Sequence, residues 1–260
     1  MKNTIDYIIR WLSTKVNLLF SNSISAAGIL TLTCIAVKNN VFVEFGATKA
    51  CLFAVLMCNV WSGIFNSIGI YCSEQGYIQD DLNKFLPVHS YVAGNVIVQF
   101  FQCLLEALLS ASIFKLFFDY KTEGIFMTNR TIEYLVTFFL ILFSADMLGF
   151  AAGLMIKKIS SIMSAIPVIL VAQLLFSGCL FELNDHLERL AYITTAKWGF
   201  YSLGSISDLN SMLPPGMENA KFRPEFEYIT YCWKYMILLS VFLILFSGTV
   251  LYFKVNKKEK

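Results

Sequence analysis

The chain is poor in the side chains that carry chemistry. It has two histidines, His89 and His186, in 260 residues, and neither belongs to an HExxH pattern or any other Cys/His metal spacing. It contains no GxSxG elbow and no GxxxxGK[ST] loop, which excludes serine-hydrolase and phosphoryl-transfer chemistry from this polypeptide and leaves no metal or cofactor to expect in it. Charged residues are only 15% and the net charge is +2. The lysines and arginines are scattered or sit at segment ends, so no broad basic surface exists and nucleic acid is excluded as a partner. The seven cysteines lie in or beside apolar runs without CxxC spacing, and read as small packing residues and not as a disulfide framework. No signal peptide is expected, because a long patterned stretch precedes the first apolar run.

What is abundant is hydrocarbon. Apolar residues make up 57% of the chain and the mean hydropathy is +0.64, well above an ordinary globular composition. Six runs, near 21–37, 50–72, 93–118, 132–156, 161–182 and 229–253, are long enough to span ~30 Å of hydrocarbon. Each must be helical in lipid, since an isolated strand leaves its backbone unpaired. The expected fold is therefore all-α and integral to the membrane. Residues 1–20 place Ile5, Ile9, Leu12, Val16 and Leu19 on one helical face and Asp6, Arg10, Ser13 and Asn17 on the other, the pattern of an amphipathic helix lying at the interface. Residues 183–228, with Pro214-Pro215-Gly216 and Pro224, predict a small folded external cap between spans five and six. An even span count puts both termini on one side. The tail KVNKKEK and the Lys157-Lys158 turn assign that side to the cytoplasm, although lysine and arginine divide ten against ten overall.

Three stretches are distinctive: YIQDDLNKFLPVHSY at 77–91, ADMLGFAAGLMIKK at 145–158, and QLLFSGCLFEL at 173–183 followed by AKWGFYSLGSI at 196–206. Together, in this order and spacing, they resemble the membrane domain of the G-subfamily (White/pigment-type, type V fold) ABC transporters over nearly the whole chain. The resemblance implies a permease subunit of an ATP-driven exporter for a hydrophobic or amphipathic solute such as a lipid, a drug-like molecule or a hydrophobic peptide. It makes residues 1–20 a connecting helix and 74–90 a cytoplasmic coupling helix that docks on a nucleotide-binding subunit, with Asp80, Asp81 and Lys84 as docking residues and Glu74 near a second acidic position. The amphipathic pattern agrees, since Ile78, Leu82, Phe85 and Leu86 can face the spans while the charges face water. No ATPase precedes the connecting helix in this sequence, so the cassette, with its ATP and magnesium, is expected on a separate chain. A second permease copy or close paralogue completes the transporter. The resemblance also has the second and fifth spans of two subunits face each other around a substrate cavity, lined by Trp61, Phe65 and Ile68 of the second span and Val171 and Leu174 of the fifth, with Cys179 and Leu180 as a plug above it. The setting is a plasma membrane, that of a bacterial cell by analogy.

Two carboxyl groups lie deep in apolar runs, Glu106 in the third span and Asp146 in the fourth. An uncompensated carboxylate there costs ~2.5–3.5 kcal/mol, so both need partners. One reading makes them structural, with Gln99, Gln102 or Ser144 near enough in sequence to help. Another turns them toward the cavity, where they would favour cationic substrates. A different class of protein, an ion-coupled secondary transporter, would also use them, although the two halves of the chain show no internal repeat. Gly149 and Gly153 form GxxxG, a close-packing face.

Overall fold

A computed structural model describes residues 2–74, 87–156, 159–180, 183–214, 216–217 and 219–256. Among these every regular element is helical: α1 (Lys2–Ala36), α2 (Phe45–Glu74), α3 (Val88–Phe117), α4 (Arg130–Met155), α5 (Ile159–Leu175), α6 (Asp185–Ala191), α7 (Thr195–Ile206) and α8 (Phe226–Asn256), with short 3-10 turns at Leu209–Met212 and Ala220–Phe222. Five helices are long and apolar enough to cross a membrane: Ser13–Ala36, Phe45–Ile68, Val88–Phe117, Arg130–Met155 and Phe226–Val255.

The fifth predicted span is shorter than its apolar run suggested. α5 has 17 residues and stops at Leu175, covering ~26 Å of rise where ~30 Å is needed. Phe176-Ser177-Gly178 ends it. Ser177 Oγ donates to the Leu174 carbonyl at 2.8 Å and accepts from the Cys179 amide at 3.2 Å. Gly178 follows with φ +72°, a left-handed turn that glycine adopts without a Cβ penalty. It faces the Tyr201 ring of α7.

α1 runs unbroken from Lys2 to Ala36, with Ser13–Ala36 as its part apolar enough to cross a membrane. Its inner face is aromatic. The aliphatic residues Ile5 and Ile9 are exposed, while Tyr7 and Trp11 are buried. The start of α3 explains this. Tyr7 meets Tyr91 edge to face at 5.3 Å and receives a hydrogen bond from Asn95 Nδ2 at 3.1 Å, and the Tyr7 ring fills the space a Cβ on Gly94 would take.

α3 is built inside out relative to a soluble helix. Asn95, Gln99, Gln102, Glu106 and Ser110 are all buried, and their spacings of four, three, four and four put them on one face. Phe101, Leu105, Leu108 and Leu116 are exposed on the other side. Lipid satisfies a leucine as well as a protein core does, whereas a polar group must find a partner inside the bundle.

The α2–α4 contact is the closest in the bundle. A Cβ on Gly63 would lie 2.5 Å from the Leu142 carbonyl oxygen, and one on Gly149 would lie 2.4 Å from that of Ile64. The two glycines let backbone meet backbone from both sides, and α2 is thus the partner of the Gly149 end of the GxxxG face. The connection between α5 and α8 is folded. All of α7 is buried, against α2, α4 and α8. Trp233 Nε1 of α8 donates to Thr137 Oγ1 of α4 at 3.0 Å and to Ser202 Oγ of α7 at 3.1 Å, joining three helices.

Candidate functional site

The polar face of α3 finds its partners on α1 and α2. Glu106 is 2% exposed and accepts four hydrogen bonds. Ser23 Oγ and Gln102 Nε2 reach Oε1 at 3.3 and 3.1 Å, while Ser62 Oγ and Asn66 Nδ2 reach Oε2 at 2.8 and 2.9 Å. A shell of four donors suits a carboxylate, which only accepts. One turn along α3, Ser110 Oγ donates to Asn59 Oδ1 at 3.0 Å. Asp146 on α4 is fully buried; it accepts from Ser67 Oγ of α2 and, at 3.9 Å, from Cys103 Sγ of α3.

Of the helpers expected from sequence proximity, only Gln102 bonds a carboxyl. Ser144 Oγ turns back to the Leu140 and Ile141 carbonyls at 2.7 and 3.2 Å, and Gln99 leaves its buried Oε1 without a partner. The decisive donors Ser23, Ser62, Asn66 and Ser67 come from helices 40 to 83 positions away in sequence. A signal for them existed: Asn59, Ser62 and Asn66 recur at spacings of three and four in an otherwise apolar helix, marking a buried polar stripe.

Outside this shell lies a cleft of about 220 Å³ between α1 and α2, lined by Asn22, Ser25, Ala26, Ile29, Cys58, Trp61, Ser62, Phe65 and Asn66. Trp61 is 50% exposed and stacks on Phe65 at 5.5 Å with planes 7° apart. A narrower crevice that shares Ala26, Cys58 and Ser62 with the cleft is lined by Ser23 and Glu106. The cleft thus combines an aromatic wall, small hydroxyl and amide groups, and a carboxyl behind them.

The cavity expected from sequence lies between two subunits, of which this chain is one. Trp61 and Phe65 face the cleft, but Ile68 is buried in the main core, because the α2 wall closes one turn beyond Phe65. Val171 is 53% exposed and Leu174 half-buried; neither lines the cleft, whose second wall is α1 and not α5. Of the plug pair, Cys179 is half-buried and Leu180 exposed. Glu74 ends α2. Asp80, Asp81 and Lys84 lie outside the described residues. Among the described residues no group of three or more His, Cys, Asp or Glu could hold a metal ion.

A second polar cluster sits in the α6–α7 segment. The Lys197 side chain is 2% exposed, with Nζ 3.5 Å from Glu188 Oε1 and 3.9 Å from the centre of the Tyr192 ring. Burial lowers the Lys197 pKa from the usual lysine value, and Glu188 opposes that shift. Trp198 stacks on Tyr235 of α8 at 4.2 Å, fastening the pair to the last helix. Removing the countercharge with Glu188→Gln should lower stability by ~1–2 kcal/mol, less than a fully buried pair because Glu188 is half-exposed. Thermal unfolding of the purified protein checks this; an unchanged midpoint would assign the hold on α7 to the aromatic rings alone.

Residues 6–206 match the membrane-domain model of the ABC-2 type transporters, covering α1 from its second turn to the last residue of α7. The chain belongs to the ABC-2 type transporter family. No curated protein matches it significantly. As an ABC-2 permease the chain is a multi-pass membrane component of an ABC transporter that takes part in transport and does not itself catalyse.

Proposed function

We propose that this permease is one half of an ATP-driven exporter of the G-subfamily type, paired with a second copy or a close paralogue and clasped on each half by a separate ABC ATPase that carries ATP and magnesium. Its cargo is a hydrophobic or amphipathic solute: a lipid, a drug-like molecule or a hydrophobic peptide. Both termini are cytoplasmic, in the cell membrane of a bacterium. The observation that carries the docking role is the packing of Tyr7 onto Tyr91 and Asn95. That contact holds the N-terminal turns of α1 against the start of α3, the helix that follows the proposed coupling segment in sequence, so a movement of α3 is passed to α1. The first turns of α1 then lie at the cytoplasmic interface, the α6–α7 segment forms the external cap, and Cys179 and Leu180 stand at the outer end of α5 as a plug.

The ion-coupled alternative has less support. Glu106 and Asp146 are both met by donors from the surrounding helices, and the family is that of ABC transporters.

The test is charge reversal. Asp80→Lys with Asp81→Lys, in the permease purified with its ATPase, should lower solute-stimulated ATP hydrolysis about tenfold by placing like charges across the docking surface, while the thermal midpoint stays at the wild-type value. Undiminished stimulation would overturn the docking role.

A further inference from the structure

We propose that the α1–α2 cleft receives the cationic end of an amphipathic organic solute, and that Glu106 supplies the charge preference through Ser62 and Asn66. This names a substrate class for the permease and rests on the export reading only for what happens after binding.

Three observations converge on it. The first is charge without compensation. Among the described residues no lysine or arginine pairs with Glu106; its four partners are neutral donors. They solvate the carboxylate and leave its net charge in a low-dielectric bundle, where it acts over several ångströms. The second is the position of two of those donors. Ser62 and Asn66 bond Glu106 and also line the cleft. Donating to a carboxylate strengthens the remaining lone pairs of a hydroxyl or amide oxygen, so the cleft wall takes up the negative potential behind it.

The third is the aromatic wall. Stacked, half-exposed Trp61 and Phe65 offer ring faces, which attract a cation by ~0.5–2 kcal/mol and do nothing comparable for an anion. Ile29 and Ala26 complete an apolar rim. At about 220 Å³ the cleft is smaller than the ~300–1,000 Å³ of a pocket for a whole drug-sized ligand. It fits one end of such a molecule, a quaternary or protonated amine with a small ring, while the apolar remainder lies along the exposed faces of α1 and α2.

The experiment uses the purified permease in nanodiscs without the ATPase, and calorimetry with two soluble probes of similar size and opposite charge, benzyltrimethylammonium and benzenesulfonate. The wild type should bind the cation about tenfold more tightly than the anion. Glu106→Gln, which keeps one acceptor oxygen for the donor shell, should weaken the cation about tenfold and leave the anion unchanged. Ser25→Lys, on the exposed wall of the cleft and with no bond to Glu106 of its own, should abolish cation binding with the carboxyl network intact. Equal affinities for the two probes, no binding of the cation, or a cation preference that survives both substitutions would overturn the proposal. ATPase coupling, followed separately in the Asp80/Asp81 variant, is independent of these outcomes, so a failed cation preference leaves the export reading standing.

Discussion

Gly149→Leu is expected to leave almost no folded protein in the membrane, and even Gly149→Ala is expected to lower the thermal midpoint sharply. A Cβ at this position lies 2.4 Å from the Ile64 carbonyl oxygen and 3.0 Å from its Cα. These are backbone atoms, so no side-chain rotamer can relieve the clash and the two helices must separate. On the opposite surface Gly63 approaches the Leu142 carbonyl equally closely, so a displacement at Gly149 also strips contacts at Gly63. The cost exceeds the ~1–3 kcal/mol of ordinary core overpacking, which side-chain shifts absorb. Gly28→Ala is the control: nothing lies within 4 Å of its added Cβ, and replacing glycine inside a helix removes an entropic cost of ~0.5–1 kcal/mol. Fluorescence-detected size-exclusion yield and thermal unfolding read both. A wild-type midpoint for Gly149→Ala would mean that α2 and α4 are not in backbone contact.

The second large effect belongs to Glu106→Ala. Truncation leaves Ser23, Ser62, Asn66 and Gln102 without their acceptor. The serines can turn back to a carbonyl of their own helix. Asn66 can do the same, as Asn59 and Asn95 donate to the Val55 and Tyr91 carbonyls, which strains its packing, and any donor left stranded costs ~1–3 kcal/mol. An opposing term exists, since alanine relieves the ~2.5–3.5 kcal/mol insertion penalty of a carboxylate. The two terms act at different steps. Insertion of α3 should improve or hold, while packing of α1 and α2 against it should fail, so the expected result is undiminished membrane-inserted protein with a lowered unfolding midpoint. Glu106→Gln, with one oxygen still in place, should lie between the alanine variant and the wild type. A stability equal to wild type in Glu106→Ala would show that the donor shell contributes nothing to folding.

The contrast between α1 and α3 shows how far the chain could be read without its fold. In α1 the 3.6-residue periodicity correctly marks a helix, yet the aliphatic stripe that would mark the core face of a soluble helix is the exposed one, with Ile5 and Ile9 outward and Tyr7 and Trp11 inward. Hydrocarbon surrounds the bundle, so burial of an isoleucine in protein has no advantage over lipid. Polar and aromatic groups with hydrogen-bonding atoms define the inner faces instead. The same logic makes the stripe from Asn95 to Ser110 the most informative pattern in the sequence, and it was legible there as five polar positions at helical spacing.

The partners of that stripe were not legible. Glu106 and Asp146 announce a need for donors by type and depth alone, but proximity in sequence proposed Gln99, Gln102 and Ser144, of which the structure uses only Gln102. The same limit applies to Gly178, whose φ of +72° makes it the turn that follows α5. It applies again to Ile68, which shares a helical face with Trp61 and Phe65 and yet is buried, because the neighbouring helices close over it.

By itself the amino-acid order determined that this chain is helical, lives in lipid and hides two carboxyl groups among apolar spans, since each of these follows from composition and from periodicity within one segment. Only the assembled bundle decided that Ser62 and Asn66 stand between Glu106 and an aromatic cleft, that Gly63 and Gly149 lock α2 to α4, and that Tyr7 ties the N-terminal turns to α3. Those depend on which helix faces which, and in a bilayer the hydrophobic pattern leaves that choice open until polar groups from distant segments find one another.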